Sequence, residues 1–157
     1  MPLGGTVRLQ SFTEFWPFYL SQHSNIYCRV LHFFGTTIFF LVLLLCFLLH
    51  GWAIIIGVVS TTVITAISFQ WESKRSSLPI LCVGIIVLLI ADWWIIFGIL
   101  GAYAFAWCGH FLLEKNRPAT FTYPVWSLVG DFKMWAGMCM GRYWEPDISD
   151  HWGKDSP

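Results

Sequence analysis

The sequence predicts an all-α, polytopic membrane protein, and three observations carry that class. Apolar residues make up 57% of the chain and charged residues 11%, against roughly 25% charged in an average soluble domain. Two long apolar runs, residues 33–69 and 78–113, hold no Lys or Arg and are separated by the polar patch QWESKRSS at 70–77. As one helix, each run would rise roughly 55 Å against a hydrocarbon core of about 30 Å, so each has to fold back once.

The elements follow in order. Residues 11–31 read as interfacial and entry helices: Ser11 and Glu14 stand in capping-box spacing, and a cluster of Phe, Trp and Tyr follows, its rings expected at headgroup depth. Ser24 or Asn25 caps a second helix that leads into the first span. Spans are expected at 33–49, 52–69, 78–94 and 95–113, with turns at His50-Gly51 and at Asp92 beside Trp93 and Trp94. Asp92 cuts short the uncharged part of the third span, where a re-entrant hairpin is the alternative. Residues 70–77 form a loop, 114–144 a cytoplasmic segment and 145–157 a polar tail, all within one membrane domain of residues 1–157.

Four spans place the N-terminal segment, the 70–77 loop and the C-terminal segment on one side. All nine Lys and Arg residues lie there, which puts both termini in the cytoplasm. The first apolar run begins near residue 33, after a polar and aromatic segment, and so reads as a retained helix instead of a cleaved signal. The five cysteines, at 28, 46, 82, 108 and 139, are scattered singly and read as small buried apolar residues, not as a disulfide framework. Membrane lipids, and not nucleic acid, are the expected surroundings.

Helical spacing then gathers the polar residues. Asn25, Arg29, His32 and Thr36 lie at i, i+4, i+7 and i+11, on one face that lipid would not tolerate. Tyr103, His110, Glu114 and Arg117 form a second stripe on the last span, with Trp107 between them. The parity of the spans brings both stripes, together with His23, to one membrane level, where ionisable residues are functional candidates. Three imidazoles hold a divalent transition metal and leave coordination positions open, and a carboxylate either ligates or orients a ring. His23, His32 and His110 are the candidate ligands, since His50 lies at the opposite face and His151 in the tail. Glu114 and Arg117 are candidate catalytic residues, and Asn25, Arg29, Asn116 and Arg117 are candidates for binding substrate.

Plainer readings stand beside these. Arg29 and Arg117 either anchor the chain at the interface or hold an anionic headgroup or carboxylate. Glu114 either serves the site or pairs with Lys115 or Arg117 on its own helix. Asp92 reads as a turn residue and Asp131 as an ordinary solvent-facing one. Spacing alone does not name the metal, and a metal-free membrane scaffold or lipid-binding protein is the alternative to an enzyme. A transporter fits less well, because its polar site would lie at mid-span.

The blocks HSNIYCRVLH at 23–32, GHFLLEKNRPATF at 109–121 and YPVWSLVGDFKM at 123–134 resemble the membrane-protein family typified by the fungal 2-hydroxy fatty acid dioxygenase, named for metabolism of phytosphingosine to odd-numbered fatty acids. The resemblance covers roughly residues 11–35 and 101–135, and ATFTYPVWSL is similar to the family's shorter branch. It implies an iron(II) enzyme of the endoplasmic reticulum or of a bacterial inner membrane, which takes one carbon from 2-hydroxy fatty acids by α-oxidation with O₂. It also implies that the family's histidines are His23, His32 and His110 here, with Arg29 or Arg117 on the substrate carboxylate. Many members of that branch have one hairpin between the motif blocks, whereas two are expected here. A second hairpin preserves parity, so the blocks still meet.

Overall fold

A computed structural model describes residues 8–148. Helix α1 (Phe12–Ser21) starts at Ser11, whose Oγ accepts the Glu14 N–H at 3.2 Å, while the Glu14 carboxylate accepts the Gln10 N–H at 2.9 Å. Aromatic residues of this helix pack into the protein interior. Phe15, Trp16 and Tyr19 are at most 2% exposed, and Phe15 packs its ring 5.4 Å from Tyr123 and 5.6 Å from Trp126. The C-terminal segment supplies its own aromatic face, and large rings bury much of their surface against one another there.

Helix α2 (Ile26–His50) begins seven residues before the expected span, because Asn25 caps it by accepting the Tyr27 N–H at 2.8 Å. Its polar face turns inward as the spacing predicts, with Arg29, His32 and Thr36 all buried. Gly51, at φ 57°, takes the left-handed conformation that ends α2 and lets α3 (Trp52–Trp71) follow at once. Helix α4 (Leu78–Ala91) stops before Asp92, whose carboxylate accepts the Trp94 N–H at 3.0 Å and pairs with His50. The third span thus ends at 91 and not 94, and its 14 residues rise about 21 Å. Helix α5 (Ile95–Cys108) continues through a π-helical turn (Gly109–Glu114). A 3₁₀ turn (Ala119–Phe121) and α6 (Pro124–Cys139) complete the described helices.

Three helical stretches, Ile26–His50, Trp52–Trp71 and Ile95–Glu114, are long and apolar enough to cross a membrane, as in an integral membrane protein, and α4 is a shorter apolar helix beside them. Their directions alternate. The His50 to Asp92 contact sets the end of α4 beside the end of α2, while Arg8 ties Glu72, at the α3–α4 turn, to the Thr122 carbonyl near the start of α6. Helix α2 packs along α5, and α3 along α4. Close approach of α2 and α5 depends on Gly35, where a Cβ would stand 3.0 Å from the Ala102 carbonyl oxygen. Between the two pairs, and closed by α6, lies a cavity of about 860 Å³.

Two further expectations change. Residues 145–148 are docked, not free: Ile148 is 2% exposed and the Glu145 carbonyl accepts from Arg29. The remainder of the expected tail, His151 included, lies outside the described residues. Cys28 and Cys46 are buried, but Cys82, Cys108 and Cys139 are exposed on the protein surface.

A candidate metal centre of three histidines

His23, His32 and His110 reach one point from three elements. His23 sits in the turn between α1 and α2, His32 lies two turns into α2, and His110 opens the π-helical turn after α5. Their ring centroids are 4.5, 4.7 and 5.1 Å apart and the rings stand steeply to one another. One ring nitrogen from each lies within 4.8 Å of the other two, and all three residues are buried.

The Nδ1 atoms explain the arrangement. Each is within hydrogen-bond distance of an oxygen: the Tyr19 carbonyl for His23 at 2.7 Å, the Asp131 carboxylate for His32 at 2.9 Å and the Asn116 side-chain carbonyl for His110 at 2.7 Å. Facing an acceptor, each Nδ1 carries the proton, and each Nε2 is left with a lone pair aimed at the common centre. The Nε2 atoms of His23 and His32 are buried without a partner, an arrangement that costs free energy unless something binds there. Burial, and then the neighbouring His32 and His110, hold the His23 imidazole well below its ordinary 6.5, so it stays neutral and able to ligate.

A surrounding set of groups fixes the rings. Tyr19 stacks on His23 at 4.2 Å and donates its hydroxyl to Asp131 Oδ1, the oxygen that also accepts from His32. Burial and the adjacent carboxylate push the Tyr19 phenol well above 10, which keeps it a donor. Asn116 donates to the Gln22 carbonyl at 2.9 Å, so His110 is tied back to the chain that carries His23. Carboxylate and carbonyl partners of this kind orient metal-binding histidines and raise their basicity. The residues therefore fit a divalent transition metal, and a set of three imidazoles suits iron, zinc, copper or nickel alike.

The other expected site residues lie elsewhere. Glu114 pairs with neither Lys115 nor Arg117 but accepts the Asn25 N–H at 2.7 Å and the Ser24 hydroxyl at 3.0 Å, where a carboxylate favours the start of α2. Asn25 is the cap of that helix, and Asn116 is the orienter of His110. Arg29 is fully buried and donates to the carbonyls of Tyr143, His23, Ser24 and Glu145. Its guanidinium is spent on backbone, and it does not line the cavity. Arg117 leaves the expected stripe because Lys115, at φ 54°, ends the helix; it is exposed and lies over the Phe121 ring at 4.8 Å.

Sequence reasoning missed Tyr19, Gln22 and Asp131. The signal for Asp131 was present: it lies on the inward stripe of α6 between Ser127 and Met134, where an unpaired carboxylate would be costly.

His32, His110 and Asp131 also line the cavity, whose walls are otherwise mostly aliphatic and aromatic. Fold and site thus define a helical membrane protein with a buried three-histidine centre that opens onto an apolar chamber. The family model described as 2-hydroxy-palmitic acid dioxygenase Mpo1-like matches residues 9–143, and the chain belongs to this Mpo1-like family. No curated protein and no solved structure matches it.

Proposed function

We propose that this chain is an iron(II)-dependent dioxygenase that shortens 2-hydroxy fatty acids by one carbon, in lipid and sphingoid-base catabolism. The supporting observation is the convergence of three buried imidazoles, two with unpartnered Nε2 atoms, at the wall of an apolar cavity of about 860 Å³. That volume is within the range of sites that enclose a lipid-sized ligand. The family description names a 2-hydroxy acid dioxygenase, which fits such a chamber.

In this reading His23, His32 and His110 hold the iron, which when bound supplies Lewis acidity and one-electron chemistry toward O₂. The residues do the rest. Tyr19, Asp131 and Asn116 keep the three tautomers in the binding form, Glu114 and Arg29 fix the His23 turn onto α2, and the apolar walls take the acyl chain out of water. Cleavage between C1 and C2 draws electrons from the substrate itself, so the reading calls for no 2-oxoglutarate. The chain works as one membrane domain with both termini cytoplasmic, in the endoplasmic reticulum or a bacterial inner membrane.

The test is anaerobic purification in detergent with metal analysis, 2-hydroxypalmitate turnover and O₂ uptake, on wild type and on His23→Ala, His32→Ala and His110→Ala. About one iron per chain, lost in the variants and accompanied by a product one carbon shorter, is expected. Folded, metal-free wild-type protein that binds lipid equally well after these changes overturns the reading in favour of a scaffold.

A further inference from the structure

We propose that the acid group of the substrate is held without any cationic side chain, by the hydroxyls of Thr36 and Tyr103 beside the three-histidine centre, and that the site selects a monoanionic head group. This inference rests on the proposed function and assigns its specificity residues. Among the described residues, neither Lys nor Arg lines the cavity. The arginine nearest in sequence to the ligands, Arg29, has its donors on backbone carbonyls, and Arg117 is exposed at the surface.

Neutral donors are present instead. Thr36 follows His32 by one helical turn on α2, is 6% exposed and lines the cavity, with no side-chain hydrogen bond among the described residues. Its neighbour Thr37 is engaged on the Phe33 carbonyl and by Trp135, so Thr36 offers the free hydroxyl of the pair. Tyr103 precedes His110 by two turns on α5 and lines the same cavity, likewise with no hydrogen bond to its hydroxyl among the described residues. Both side chains line the chamber with their hydroxyls uncommitted, so a ligand oxygen that accepts from them gains a hydrogen bond on an otherwise mostly apolar wall.

Charge sets the rest. Asp131 Oδ1 accepts from both Tyr19 and His32, as an ionised carboxylate does. Arg29 acts on His23 and Glu114 on His110, and these two charges offset one another; three neutral imidazoles, one divalent ion and the Asp131 carboxylate then leave one positive charge in a poorly solvated chamber. One monoanion neutralises it; a dianion leaves an uncompensated charge, which such surroundings penalise. The free carboxylate of a fatty acid fits that balance, and a phosphate monoester does not.

The experiment uses zinc-loaded protein in detergent, in which no turnover occurs, and follows binding through the fluorescence of Trp107 and Trp135, both of which line the cavity. Thr36→Val and Tyr103→Phe are each expected to weaken 2-hydroxypalmitate binding roughly three- to tenfold at unchanged zinc content, with Thr36→Ser close to wild type. Hexadecyl phosphate is expected to bind at least tenfold more weakly than the acid. Wild-type affinity in both hydroxyl-deletion variants, equal loss in Thr36→Ser, tighter binding of the phosphate, or a larger loss in Arg117→Ala overturns the proposal. Iron content and turnover of the wild type judge the enzyme reading separately, so the two can fail independently.

Discussion

Asp131 shows how much one side chain decides. Its Oδ1 accepts hydrogen bonds from His32 and Tyr19 together, so it sets the tautomer of one histidine directly and, through the ring of Tyr19 stacked on His23, the position of a second. Asp131→Asn keeps the shape and loses the charge, and its amide can turn an N–H toward His32. Metal affinity is expected to fall about 10- to 100-fold, measured by chelator competition, with helix content unchanged. Retained affinity would mean that the ring is fixed by packing alone. The convergence of His23, His32 and His110 is what helical periodicity and span parity imply in the sequence. For Asp131 the spacing marks only an inward stripe; its partner His32 depends on how α6 packs against α2, which no local spacing encodes. Arg29 failed in the other direction: a cation on the polar face reads as a substrate clamp, yet its partners are carbonyls up to 116 residues away in sequence.

At the scale of elements, the π-helical turn delivers His110, and Gly109 makes its approach to α2 possible. A Cβ there would lie 2.8 Å from Cys28 Sγ and 3.4 Å from Cys28 Cα. Gly109→Ala is expected to cost about 1–3 kcal/mol as overpacking, seen as a lower melting temperature in detergent and weaker metal retention. Adding Cys28→Ala removes the sulfur and should restore much of both; no recovery would place the strain in the backbone of the turn. The α3–α4 turn carries a different device. Burial raises the Glu72 carboxyl above 4.5, opposed by the Val125 N–H, Ser77 and Arg8. A raised folded value favours the protonated form, so its contribution is full below about 4.5 and is lost as pH rises through the folded value. The melting temperature of Glu72→Gln relative to wild type should therefore increase with pH over that window, and a constant difference would refute the assignment. The turn lies within the polar patch at 70–77, but an acid buried beside an arginine 64 residues away is invisible to composition.

Over the whole molecule, two helix pairs hold the chamber apart, and its length follows from helix geometry. On α2 the lining runs from His32 to Leu43, a rise of about 16 Å at 1.5 Å per residue, and a matching stretch runs from Ile99 on α5 to His110 in the π-helical turn. The three-histidine cluster is at one end; Leu43, Val58 and Leu88, from three different helices, line the other. The sequence signalled the spans but not this space, because a cavity arises from how two helix pairs are set apart and not from the pattern along either one. If the acyl chain extends from the histidines toward Val58, bulk at Val58 shortens the chamber without touching the chemistry. Val58→Phe is thus expected to lower turnover of long 2-hydroxy acids at least tenfold while a chain several carbons shorter is turned over at near wild-type rate, at unchanged iron content. Uniform loss across chain lengths would show that the substitution disturbs the packing of α3, and an unchanged preference would show that the chain leaves the chamber by another path. The selective outcome alone ties the volume between the helix pairs to the substrate the centre acts upon.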